Sequence, residues 1–444
     1  MDTIKNKQLA TVKFLTFSII GIVAFFVYIP TGGGQSALLI DIITRFLYGV
    51  FEPFYNYLVL LFCFIALALV FFIRKTFKRS GIDMVLSVCS VFGTIIVLLM
   101  IFGIAPDFLA ATAAATIANM GRSIIMILCT AFFVPFLLFH GLIDSIGILA
   151  KPLMRPVFKA PGLTAVVVAT DLLANFSAAI LGANTLYKEG KLNYKETAII
   201  LTGFCSISIG LMLLFAQFLD IMDYFLFYFV SAQLVMCLVT AITVRFPPIR
   251  GMSLAYSDDK PAEIAEDHVK GGRLKSAWFA GLAGAEAAPS VVITVSSFLA
   301  MTLRVLAVMI SSTIFVITAG LLVNEYTPIF SWLGLIFYPI YTLFGLFSPG
   351  LMADARVMAT ASGLSIVDVF PSVMYGMTYD LSLPARYVLA SFPVTIIIFT
   401  GGYFTCLMAA DFRIKVRHLF ILWLERMFLS LIFLCTIAVI FFTA

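Results

Sequence analysis

Charged residues are scarce in this sequence. Only 11% of its 444 residues are Asp, Glu, Lys or Arg, against about 25% in a soluble domain, while 62% are hydrophobic and the mean hydropathy is +1.10. No soluble fold of this length buries that much apolar surface, so the chain is expected to be all-α and polytopic in a lipid bilayer. Strict alternation is also missing. The apolar runs are uninterrupted, which excludes a β-barrel, whose strands alternate every second residue. Histidine is nearly absent, with three in the chain, and none of the seven cysteines forms a CxxC pair. The cysteines fall in or near apolar segments and read as small apolar residues, so no metal site is expected. No Ser/His/Asp or Cys/His arrangement stands out, so no catalytic residue is assigned and no enzyme is expected. The GGGQS run at 32–36 lacks the GK[ST] ending of a phosphate loop. No small-residue cleavage site closes the first apolar run, which is expected to be an anchor and not a cleaved signal.

The charge that is present is ordered. The net +5 is carried by short clusters between apolar runs, a pattern that orients membrane proteins and does not point to nucleic acid. About nine crossings are expected, near 14–31, 55–73, 83–104, 122–146, 195–217, 223–245, 303–324, 386–408 and 418–442. With the N-terminus in the cytoplasm, 22 of the 28 Lys and Arg fall on the cytoplasmic side. With nine crossings that orientation is expected to leave the C-terminus outside. Arg304 and Arg426 lie inside or beside spans. The runs 160–187 and 330–375 are broken by Gly, Pro, Asn, Ser and Asp. The first must enter and return on one face, because Lys151–Lys159 and Lys188–Lys195 are both cytoplasmic, so a re-entrant hairpin is expected. Segments 106–120 and 277–301 are rich in Ala, Ser and Thr and suit the interface. His140 and Asp144, at i and i+4, are expected on one helical face; a proton relay is one reading, and an interfacial pair is favoured because they lie near the cytoplasmic end of their span.

Two parts of the chain repeat. GKLNYKETAIILTGFCSISI (190–209) aligns with YDLSLPARYVLASFPVTIII (379–398), pairing Leu192 with Leu381 and Asn193 with Ser382. RSIIMILCTAFFV (122–134) aligns with RVLAVMISSTIFV (304–316). Each copy has a lead-in, a span, a broken region and two more spans. An odd number of crossings inverts the second copy. The expected organisation is therefore a three-helix scaffold (1–104), a first repeat (105–245), a cytoplasmic linker (246–276) and a second, inverted repeat (277–444). Inverted copies with interrupted segments at matching positions point to a secondary transporter, with its site near mid-membrane at the broken segments.

Polar groups at that depth must find partners inside the protein. Asn175, Ser177 and Ser206 are candidate ion ligands, since unwound carbonyls and neutral oxygens suit Na⁺. Asn184, Thr185 and Ser208 are candidate solute contacts, as is Thr395, which aligns with Ser206 beside the helix-breaking Pro393. Asp354 and Arg356 could pair as a latch, a relay or a grip on a zwitterion; an outer surface salt bridge is the plainer alternative. Asp171, after the apolar run TAVVVAT, is a candidate charge relay. Thr202 and Gly203 read as helix-packing residues.

The stretch from Asn175 through KLNYKETAIILTGFCSISI resembles the Gate (nucleoside-recognition) domain. That domain is shared by concentrative nucleoside transporters, spore-maturation membrane proteins and the membrane part of the ferrous-iron transporter. The whole chain looks most like the YjiH-like branch of Gate-domain inner-membrane proteins. In the nucleoside transporters the matching Asn contributes to a sodium site, and a Gln and a Glu after the hairpin Gly bind the nucleoside. Asn175 and Gly182 match. Ala183, Asn184 and Thr185 follow instead of the Gln and Glu, so the ion half of the pattern is kept and the nucleoside half is replaced. The resemblance implies Na⁺- or H⁺-coupled transport of a small polar solute, nucleoside-like or like an amino acid or dipeptide. The other function class it allows is a non-transporting membrane subunit that assembles with a second Gate-domain protein or with its own copies.

Overall fold

The structure is a computed structural model. It describes residues 2–32, 35–69, 81–138, 140–173, 176–188, 190–204, 207, 209–257, 272–397, 412 and 414–442. Helix dominates, at 82% of the described residues, which also contain one pair of short antiparallel strands, β1 (Tyr28–Gly32) and β2 (Gln35–Leu38). The expected first span therefore ends early: helix α1 (Asp2–Phe26) gives way to the strand hairpin where Pro30 cannot continue a helix.

Helices α2 (Leu39–Phe51), α3 (Tyr55–Ala68) and α4 (Gly81–Ile101) follow. Helix α5 (Asp107–Leu138) absorbs the Ala-rich lead-in and the span after it into 32 continuous residues. Next come α6 (Leu142–Leu153), a π-helical turn (Met154–Phe158), α7 (Thr164–Leu173), α8 (Phe176–Lys188), α9 (Tyr194–Gly203), α10 (Ile209–Phe218) and α11 (Phe225–Thr243). The second half holds α12 (Arg273–Ala287), α13 (Val291–Tyr326), α14 (Ile329–Gly334), α15 (Tyr338–Gly345), α16 (Pro349–Leu364), α17 (Val369–Met377), α18 (Leu383–Thr395) and α19 (Val416–Phe442).

Among the described residues five helical stretches are long and apolar enough to cross a bilayer: Leu39–Ala68, Asp107–Phe133, Met222–Thr243, Leu306–Tyr326 and Val416–Phe442. A sixth arises if α12 and the start of α13, bent by 83° at residues 288–290, count as one. The chain is thus a multi-pass membrane protein. Its expected crossing at 195–217 is interrupted after Gly203, and that at 386–408 stops being helical at Thr395, beyond which residues 398–411 lie outside the described set.

Lipid exposure explains the composition. On α11, Leu226, Val230, Leu234 and Leu238 recur every fourth residue and are exposed, while Tyr228, Ala232, Val235 and Val239 are buried. A helix with Leu and Val on its outer stripe and a tyrosine inside is built for an apolar solvent, with polar groups turned toward protein.

The chain divides into two compact units that interleave along the sequence. One comprises Met1–Gly49, Ile125–Gly210 and Thr240–Leu303; the other comprises Val50–Ile124, Leu211–Val239 and Arg304–Ala444. In the first, α12 packs against α6 and α1. The close approach is made at glycines: a Cβ on Gly141, which sits at φ +90°, would strike the Gly281 carbonyl. Ser145 Oγ donates to Ala277 O at 2.9 Å, and Phe14 meets Trp278 edge to face at 5.4 Å. The left-handed turn at Gly141 separates α5 from α6. His140 and Asp144 are therefore not on one helical face. His140 is buried instead, its ring 4.2 Å from that of Phe17. In the second unit, α16 is the hub, flanked by α14, α15, α17 and α18.

Candidate functional site

Each unit contains two short helices packed on each other, followed by a helix that ends within an apolar run. In the first unit, α7 and α8 pack on each other and have 10 and 13 residues, about 15 and 20 Å at 1.5 Å per residue. Neither reaches across a hydrocarbon core of roughly 30 Å. The hairpin is followed by α9, whose start is secured by a capping box. Asn193 Oδ1 accepts from Glu196 N at 2.8 Å, and Glu196 Oε2 accepts from Asn193 N at 2.9 Å. The segment after the 3-10 turn at Ile249–Gly251 is tied to the same end, Tyr194 N donating to Ala255 O at 2.9 Å and Lys195 N to Ser253 O at 3.1 Å.

The far end of α9 is held differently. Thr240 Oγ1, on α11, donates to Gly203 O at 2.7 Å. Only glycine permits this, because a Cβ on Gly203 would lie 2.6 Å from Thr240 Cγ2. Gly203 is a helix-packing position, as its neighbourhood suggested. Thr202 turns its hydroxyl back to Ala198 O at 2.7 Å.

In the second unit α16 and α17 form the hairpin, with 16 and 9 residues. Its tip is dense in hydroxyl groups. Ser365 Oγ donates to Ser362 O at 2.6 Å, and Ser372 Oγ bridges to Ala361 O at 2.5 Å. Asp368 is buried and caps α17, its Oδ1 accepting from Phe370 N at 3.0 Å. Tyr341 OH on α15 meets Ser362 Oγ at 2.7 Å. Helix α14 comes close enough to α16 that a Cβ on Gly363 would strike the Phe330 carbonyl and one on Gly334 the Ala359 carbonyl.

Helix α18 follows, with Ser382 in the N-cap position and Pro393 near its end. Pro393 has no N–H, which weakens the last turn, and Ile396 is extended at φ −97°, ψ 170°. The carbonyl of Thr395 accepts from Nε of Arg426 at 2.8 Å. Arg426 lies on α19 and is 2% exposed. Tyr228 OH on α11 donates to Ala390 O at 3.0 Å, and Tyr387 OH on α18 donates to Ser231 Oγ on α11 at 2.7 Å. Thus α18 is flanked by two helices that supply side-chain donors to it or take them from it.

Asn184 is buried on α8 and Asp171 is buried on α7. Ser177 and Thr185 lie on α8. Asn175, Ser206 and Ser208 lie outside the described residues. Asp354 is not paired with Arg356 among the described residues; its Oδ2 accepts from Ser382 N and Oγ at 2.9 and 2.6 Å, while Arg356 is exposed. Thr395 directs its hydroxyl to Phe392 O at 2.9 Å. Asp354 therefore sits at the start of α18 and Thr395 at its end, about 20 Å apart by helix rise. The structure does not bring them together. Sequence reasoning gave no role to Thr240, Tyr341, Asp368 or Arg426. For Arg426 the signal was present, an arginine inside the apolar run FILWLERMFLSLIF.

No family model matches the chain. An uncharacterized protein of Alkalihalophilus pseudofirmus is 26% identical over 377 residues, which cover 84% of this chain and 79% of the relative. Among solved structures, a doubly substituted CNTnw in an outward-facing state matches with a TM-score of 0.41 and 11% sequence identity, over 97% of this chain and 90% of that one.

Proposed function

We propose that the chain is an ion-coupled secondary transporter of a small polar solute, nucleoside-like or like an amino acid or dipeptide, driven by Na⁺ or H⁺. One observation supports this reading: three helix boundaries recur in the chain at a constant spacing of 189 residues. Helix α8 ends at Lys188 and α17 at Met377; the N-caps are Asn193 and Ser382; α9 begins at Tyr194 and α18 at Leu383. A long helix precedes each hairpin, α5 and α13, and another follows each break, α11 and α19. Two copies of a re-entrant hairpin and an interrupted span, inverted by an odd number of crossings, are the architecture that alternating access uses. In this reading the hairpins dip into the bilayer from opposite faces, the N-terminus is cytoplasmic and the protein resides in an inner membrane. Asn175, Ser177 and Ser206 hold the coupling ion. Asn184, Thr185 and Ser208 contact the solute.

The test is uptake by purified protein in proteoliposomes under an imposed Na⁺ or H⁺ gradient, with labelled nucleosides, amino acids and dipeptides as solutes. Asn175→Ala and Ser206→Ala should each abolish gradient-dependent uptake while leaving the melting temperature near that of the parent. Full uptake in both variants would remove the ion site. Absence of any gradient-driven uptake, together with a stoichiometric membrane partner in pull-down, would replace transport by the subunit role.

A further inference from the structure

An arginine close to the middle of a membrane-spanning helix is costly and needs a reason. Arg426 is the eleventh of the 27 residues of α19, three positions from the helix midpoint, or about 4.5 Å. It does not extend to an interface, as an arginine near a helix end would. It is 2% exposed, and its Nε is engaged with the carbonyl of Thr395 at 2.8 Å, 31 residues away in sequence.

That carbonyl belongs to the last residue of α18, and its position has a chemical consequence. The C-terminal carbonyls of a helix carry the negative end of its dipole, equivalent to about half an elementary charge. When a helix ends inside the bilayer, those oxygens have no water, and a cation is the natural complement. The same feature at α9 is met by a neutral group, the Thr240 hydroxyl on Gly203 O at 2.7 Å. At α18 it is met by a permanently charged guanidinium, since arginine stays protonated in proteins.

We infer that Arg426 is the resident cation of the second broken helix. Its guanidinium, tethered to α19, occupies the carbonyl end of α18 where a soluble monovalent cation would otherwise be drawn. The wild-type protein then has no exchangeable ion at that end. Removing the charge creates a vacancy selective for small monovalent cations, and for guanidinium ions above the others because they reproduce the planar donor. This inference rests on the geometry of α18 and α19 alone and holds whether or not the protein transports.

The experiment measures thermal unfolding of purified protein in detergent, with and without millimolar methylguanidinium, NaCl or choline chloride at constant ionic strength. Four proteins are compared: wild type, Arg426→Lys, Arg426→Gln and Arg426→Ala. Gln keeps an N–H donor and loses the charge; Lys keeps the charge and loses the fork. The expected result is that Lys stays closer to wild type than Gln does. Gln and Ala should melt several degrees lower and recover part of the loss with methylguanidinium, less with Na⁺ and none with choline, which has no N–H donor and a bulky methylated head. Wild type should respond to none of them. If Gln is as stable as wild type, a neutral hydrogen bond suffices and the inference fails. It fails equally if no small cation shifts either neutral variant. Should Ala not fold, the Lys and Gln comparison decides on its own.

Discussion

Ser382 gives both its backbone N–H and its hydroxyl to one oxygen of Asp354, at 2.9 and 2.6 Å. Asp354 lies on α16, within the hairpin, and Ser382 is the N-cap of α18, so a single carboxylate ties the hairpin to the start of the broken helix. A negative charge at a helix N-terminus is also favoured by the dipole. Arg386, one turn into α18, steadies the approach to this end through Leu381 O at 2.7 Å and Asp380 Oδ1 at 2.9 Å.

Removal of that carboxylate leaves two donors without their acceptor. Asp354→Ala should lower unfolding free energy by about 1–3 kcal/mol, and Ser382→Ala by about 0.5–1.5 kcal/mol, since only the hydroxyl is lost. The two should couple in a double-mutant cycle measured by thermal or denaturant unfolding in detergent. Strictly additive losses would show that the contact carries no energy of its own.

Gly363 and Gly334 mark where α14 and α16 touch backbone to backbone, each facing the other helix's carbonyls. Backbone atoms cannot rotate away as a side chain can. Gly363→Ala should therefore cost roughly 1–3 kcal/mol by overpacking, and Gly363→Leu more. Gly49, whose Cβ would meet nothing within 4 Å, is the control, and Gly49→Ala should be close to neutral or mildly stabilising. Equal melting temperatures for the Gly363 and Gly49 variants would refute the close approach.

Part of this arrangement is legible in the sequence. The pairing of Asn193 with Ser382 came from aligning two apolar runs, and both residues proved to be N-caps of helices that start at equivalent places. A break at Pro393 within the 386–408 run is expected, because a missing N–H weakens a helix locally, and α18 stops two residues later, at Thr395. What escaped the sequence were contacts whose partners are distant. Arg426 was visible inside its apolar run, but its acceptor is a backbone carbonyl, and every residue has one. The single helical face expected for His140 and Asp144 is absent for a local reason: the i, i+4 rule assumes an unbroken helix, and Gly141 takes a left-handed conformation. The Asp354–Arg356 pair failed because residues two apart on a helix point in different directions. The interleaving of the two units follows from long-range packing, which no local pattern encodes.

The Thr240 hydroxyl reaches Gly203 O because that position has no side chain. Thr240→Val preserves shape and removes the donor. The loss should be about 0.6 kcal/mol and at most about 1.7, the average and maximum for hydrogen bonds between membrane helices. Thr240→Ser, which keeps the hydroxyl, should retain most of the stability. A Val variant as stable as the parent, with Ser no better, would mean that water or a rearranged backbone satisfies the carbonyl.

The capping box at Asn193 tests whether α9 depends on its own start or on the segment laid over it. Both halves of the box are present, at 2.8 and 2.9 Å, and residues 253 and 255 add two backbone acceptors to the next two N–H groups. Three of the first helical N–H groups are thus satisfied by groups outside the helix ladder. Asn193→Ala should cost about 0.5–2 kcal/mol, whereas Asn193→Asp should cost much less, since Asp caps as well as Asn. Glu196→Gln should retain the box, because Gln offers the same acceptor geometry. Amide hydrogen exchange across 193–197 separates the two contributions. Faster exchange confined to residues 193 and 196 in Asn193→Ala assigns the stability to the box, whereas faster exchange that includes 194 and 195 shows that the cap also holds the 253–255 segment in place.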